Sequence, residues 1–93
     1  FREFWQEFLE LKMKESETYS AFTKEGKELK KEVGQEIAEY LNFLSKNDWL
    51  IESDFVFAQR LLTDGCQFVN EGFIRVVKDS HFSARIRERC LNL

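Results

Sequence analysis

The sequence predicts an all-α domain, an antiparallel bundle of about five helices, on three observations. Proline is absent, the four glycines stand singly, and apolar residues recur at steps of three and four along almost the whole chain. A fold of many short strands needs frequent Gly/Pro turn signals, and this chain lacks them. Ninety-three residues with 43% hydrophobic and 15% aromatic content suit one helical domain, residues 1–93, around one core.

Phe1, Phe4, Trp5, Phe8, Leu9 and Leu11 alternate with Arg2, Glu3, Gln6, Glu7 and Glu10 at helical spacing and predict a first helix near 1–14. The polar stretch from Lys14 to Thr18 reads as a linker, with Ser16, Thr18 or Ser20 available to cap the next helix. Phe22, Leu29, Val33, Ile37, Tyr40, Leu41 and Leu44 then mark one long stripe, the second helix, near 20–45. Its outer face intersperses lysines and glutamates, the pattern of a solvated surface. Ser45, Asn47 and Asp48 end it, and Trp49-Leu50-Ile51-Glu52 reads as an apolar connector tucked into the core.

Ser53 is the expected cap of a third helix near 54–64, with Phe55, Ala58 and Leu62 inside, Leu61 adjoining, and Gly65 as the stop. A fourth helix near 66–78 buries Phe68, Val69, Phe73, Val76 and Val77. Ser80 is placed to cap a fifth, near 81–91, containing Phe82, Ile86 and Cys90. The core candidates are Phe4, Trp5, Phe8, Val33, Ile37, Leu41, Phe55, Leu62, Phe73 and Val77, and the short connections between the last three helices favour antiparallel neighbours.

Composition narrows the function. The charged fraction is 33% with both signs mixed, and the net charge of -3 opposes a phosphate backbone, so no nucleic-acid partner is expected. Cys66 and Cys90, with His81 as the other soft ligand, cannot complete a zinc shell, and neither a metal nor a cofactor is expected. A single disulfide is compatible with the sequence, but a core this apolar does not require one; buried reduced thiols in a cytoplasmic protein are the expectation. No apolar run approaches the roughly 18 residues of a membrane span, and the first helix has an acidic polar face, so direct membrane insertion is not expected. The chain opens inside an amphipathic helix without a methionine, which reads as a piece of a larger protein through which membrane association would come.

Catalytic chemistry finds little to work with. Adjacent Ser80 and His81 read as a helix cap beside a surface imidazole rather than a nucleophile and base. The carboxylates lie outside apolar runs, except Glu52 and Glu71, which read as exposed. Gly26, Gly34, Gly65 and Gly72 are too dispersed for a phosphate loop. What remains is binding to another protein, without a self-sufficient active site.

Four segments, in order, carry a family resemblance. Phe4-Trp5 followed after five residues by Leu11-Lys12 resembles the fourth helix of the regulator of G-protein signalling (RGS) homology domain. Glu36-Ile37-Ala38-Glu39-Tyr40-Leu41 is similar to that family's fifth helix, and Ile51-Glu52-Ser53-Asp54 to the loop entering the sixth. The run from Phe68 through His81 resembles the seventh helix and the Asp-Ser-aromatic junction after it. The resemblance implies that three further helices precede Phe1, and that extra residues are inserted between Lys12 and Gln35. It also implies a helical bundle that binds the switch regions of a G-protein α subunit and speeds GTP hydrolysis by holding them in their transition-state arrangement.

Departures from the family pattern fall on the contact positions. Glu52 stands where the family's loop asparagine should be, with Asn47 reachable only by a register slip. Phe1 takes the place of an asparagine, Arg75 of a leucine, and Ser83 of an arginine with Arg85 nearby; Asp79 and Ser80 match. The expected partner surface is therefore Asn47, Glu52, Asp54, Asp79, Ser80 and Arg85. The expected function is an RGS-like protein-interaction domain in a signalling, scaffold or sorting protein, with weak or absent GTPase acceleration. A full GTPase-activating domain, or an unrelated helical binding module, is the alternative.

Overall fold

The computed structural model describes residues 1–93 and contains five helices and no strand. They are α1 (Arg2–Glu17), α2 (Lys24–Lys46), α3 (Glu52–Asp64), α4 (Gln67–Val77) and α5 (Ala84–Leu91). No helix is long and apolar enough to cross a membrane.

The helix ends are set by local chemistry, at positions that differ from the expected ones. Thr23, rather than Ser16, Thr18 or Ser20, caps α2: its hydroxyl accepts from the Gly26 N–H at 3.0 Å. Phe22, expected to start the α2 stripe, precedes this cap and is 95% exposed. The other end of α2 closes with Asp48 N–H donating to Ser45 O and Trp49 N–H to Leu44 O, the paired bonds of a Schellman turn. Asp48 sits at its left-handed position, φ 56°, a conformation its short polar side chain tolerates. Ser53 does not cap α3. Ile51 flanks that helix at its start, and its N–H donates to Asp54 Oδ2 at 3.0 Å. Ser80 likewise lies ahead of α5, whose first flanking residue is Ser83.

α2 is the hub, packed most extensively against α4 and next against α1. Gly34 and Gly72 explain the closeness of α2 and α4. A Cβ at Gly34 would overlap the Val69 carbonyl oxygen, and one at Gly72 the Lys31 carbonyl oxygen, so the two backbones touch where both residues lack a side chain. This pair is parallel: Lys27 Nζ lies over the Phe68 ring, and Gly72 meets Lys31 one turn further along α2. α1 runs antiparallel to α2, since Trp5 stacks on Phe43 while Lys30 Nζ donates to Ser16 O. It runs parallel to α3, bonded through Arg2 to Asp54 and Glu10 to Arg60. Directions thus alternate from α1 to α4, but the tightest pair is the non-consecutive α2 and α4.

Of the expected core, Val33, Ile37, Leu41, Phe55, Leu62, Phe73 and Val77 are buried. α1 is rotated from the expectation: Phe4 is 79% exposed and Phe8 45%, Trp5 is half-buried, and Leu9 and Met13 face the core instead. Two stripes compete on this helix, and polar contacts select between them. Arg2, Gln6 and Ser16 lie on the Leu9–Met13 side, where they bond Asp54, Tyr40 and, through the Ser16 carbonyl, buried Lys30. The connector is also corrected: Trp49 and Ile51 are exposed, and Leu50 alone packs against the core.

Candidate functional site

The α2–α3 turn and the segment from the end of α4 into α5 meet at one end of the bundle. Asp48 and Glu52 stand one helical turn apart in sequence, as do Arg85 and Arg89, and the two pairs match. Arg85 donates to Asp48 Oδ1 at 3.1 Å, and Arg89 donates to Glu52 Oε1. The Arg89 guanidinium also lies 4.3 Å from the centroid of the Phe55 ring. Beneath these surface pairs, buried Asn42 accepts from the Ser83 N–H at 2.9 Å, tying the loop before α5 to α2. Ser45, Asp48, Leu50, Arg85 and Ile86 line a shallow cleft between the two segments.

His81 is held between two carboxylates. Its Nδ1 lies 2.7 Å from Asp79 Oδ1 and its Nε2 lies 3.1 Å from Glu39 Oε1, while its N–H donates to Asp79 Oδ1. The side-chain bond to Asp79, then that to Glu39, raises the imidazole pKa above its ordinary 6.5. The His81 backbone N–H and then its ring lower that of Asp79. Arg87 completes the loop, donating to the carbonyl oxygen of Val77 at the end of α4 and to those of Asp79 and Phe82 in the loop itself.

The six expected contact residues divide. Glu52, Asp79, Ser80 and Arg85 are exposed at this end, and Asn47 is exposed while its Nδ2 donates to Phe43 O at the close of α2. Asp54 is a correction: it is fully buried and unavailable to a partner. Its Oδ1 accepts from Arg2 Nε at 2.9 Å and from the Tyr40 hydroxyl at 2.6 Å, and its Oδ2 from the Ile51 N–H. Arg2 also donates to the Trp49 carbonyl oxygen, so this network fixes the turn from beneath. Burial, with the bond to Asp54, pushes the Tyr40 hydroxyl well above its ordinary pKa.

The sequence marks Asp48 only as a helix terminator and gives Asn42, Arg87 and Arg89 no role. The matching one-turn spacing of Asp48/Glu52 and Arg85/Arg89 is the signal that was available. Chemically, the end offers paired, solvated charges around a shallow cleft. Both thiols are free, Cys66 partly exposed and Cys90 buried, and burial pushes the Cys90 thiol up to about 11, away from reactivity at neutral pH. No family model, characterised protein or solved structure matches the chain.

Proposed function

We propose that the chain is a protein-interaction module of the RGS type in a signalling or scaffold protein, with weak or absent acceleration of GTP hydrolysis. The observation that carries this reading is the meeting of the 47–52 turn with the 79–89 segment through the Asp48–Arg85 and Glu52–Arg89 pairs. It brings into one surface the two segments that, by resemblance, contact a G-protein α subunit. Glu52 supports the second half of the proposal. An amide at that position donates and accepts, whereas a carboxylate only accepts and adds negative charge near bound phosphates. Arg89 further occupies it.

Phosphate release from GTP-loaded α subunits, with the chain at roughly tens of micromolar, tests both halves. The expected result is binding without a marked rate increase, and binding reduced by Asp79→Lys. Acceleration of about tenfold or more, abolished by Asp79→Lys, favours a full GTPase-activating domain instead. No binding to any α subunit removes the G-protein reading.

A further inference from the structure

The outward face of α1 carries a stripe of large apolar side chains left exposed. Phe1, Phe4, Phe8 and Leu11, spaced at one helical turn, are all exposed. Phe43 of α2 and Trp49 of the turn extend the stripe: Phe1 lies 5.4 Å from Phe43 and 6.0 Å from Trp49 between ring centroids, and Phe43 lies 6.2 Å from Trp49. A single exposed phenylalanine needs no explanation, but a contiguous aromatic surface on a domain this small marks a place where something docks. Phe1, Phe4, Trp5 and Phe8 line a groove along α1, with Glu36 of α2 at its edge.

The charge around this groove indicates what fits. Glu3 and Glu7 flank the stripe on its outer side, and Glu36, with Glu32 one turn before it on α2, bounds the other. Near the stripe's far end Lys12 Nζ sits 5.3 Å from the centroid of the Phe8 ring, so these rings already accept a cation over their faces. An aromatic groove along one helix, edged by carboxylates, is complementary to an amphipathic helix whose apolar anchors are flanked by lysine and arginine. An anionic lipid surface is disfavoured by the same carboxylates.

We infer that the α1–α2 groove is a second docking site, adjoining the end proposed above at Trp49 but lined by other residues, and that its occupant is a basic amphipathic helix of a protein partner. The phenylalanines supply the anchoring pockets, and Glu3, Glu7 and Glu36 select the charge of the flanks.

The test is a selection from a displayed library of amphipathic helical peptides whose flanking positions are varied among Lys, Gln and Glu. The intact chain should enrich Lys over Glu at the flanks. An enriched peptide should lose about tenfold or more in affinity with the Phe4→Ala/Phe8→Ala variant, which removes exposed side chains and leaves the melting temperature nearly unchanged. Glu3→Lys/Glu7→Lys should reverse the flank preference toward Glu. Failure to enrich any peptide, indifference to flank charge, or NMR shifts mapping to another face overturns the inference. So does sedimentation showing that the chain pairs with a second copy of itself through Phe4.

Discussion

Asp54 joins three elements through one carboxylate: Arg2 of α1, Tyr40 of α2 and the Ile51 N–H that opens α3. Asp54→Ala leaves the buried Tyr40 hydroxyl without its acceptor, frees the part-buried Ile51 N–H, and removes the anion that Arg2 faces. A loss of about 3 kcal/mol is expected in urea unfolding. Tyr40→Phe deletes two bonds, the one donated to Asp54 and the one accepted from Gln6, and leaves Arg2 and Ile51 satisfied, so about 1–2 kcal/mol is expected; equal costs for the two variants would contradict this network. The role of Asp54 was hidden in the sequence because Ile51, which precedes α3, lacks the hydroxyl or carboxylate that announces a helix cap. Asp48 was legible as a helix terminator but not as a left-handed residue. Asp48→Gly relieves the backbone and removes a solvated ion pair, two small effects of opposite sign. Asp48→Ala removes the pair and keeps the strain, so it should fall about 1 kcal/mol below Asp48→Gly in thermal unfolding.

Among the elements, α2 and α4 depend on what Gly34 and Gly72 lack. Alanine improves an ordinary helix interior by about 1 kcal/mol over glycine. Here the added methyl meets a backbone carbonyl of the facing helix, and neither backbone can yield without separating the pair. Gly34→Ala and Gly72→Ala should each destabilise by roughly 3 kcal/mol despite the propensity gain, as read from chemical denaturation. A stabilised Gly34→Ala variant would show that the helices are held apart. Periodicity made the five helices readable, and it oriented α2, α3 and α4 correctly through Val33, Ile37, Leu62 and Phe73. It failed on α1, where Phe1, Phe4 and Phe8 form as regular a stripe as Trp5, Leu9 and Met13. The deciding contacts, Gln6 with Tyr40 and Lys30 with the Ser16 carbonyl, join residues distant in sequence.

For the molecule as a whole, alternating helix directions bring the α2–α3 turn to the same end as the loop after α4. That much follows from helix count and loop length. The electrostatic clasp holding the loop does not, because Glu39 and His81 are 42 residues apart in sequence and meet only after α4 has packed on α2. The charged groups around the clasp are Glu39, Asp79, His81 and Arg87, and its pH dependence follows from the directions of two shifts. His81 has its pKa raised in the folded state, so its contribution is complete below 6.5 and is lost as pH rises through the raised value. Asp79 has its pKa lowered, so its contribution is present above 3.8 and is lost as pH falls through the lowered value. The clasp is therefore strongest between these limits. His81→Gln should melt below the wild type in that window, and the difference should shrink on the alkaline side as the imidazole becomes neutral and loses its attraction for both carboxylates. Because Asp79 and Ser80 are carried on this loop, a partner bound there should weaken over the same alkaline range, and His81→Gln should flatten that dependence. A wild-type advantage that persists unchanged to about pH 9 would show that neutral hydrogen bonds, rather than the charged imidazole, hold the loop against α2.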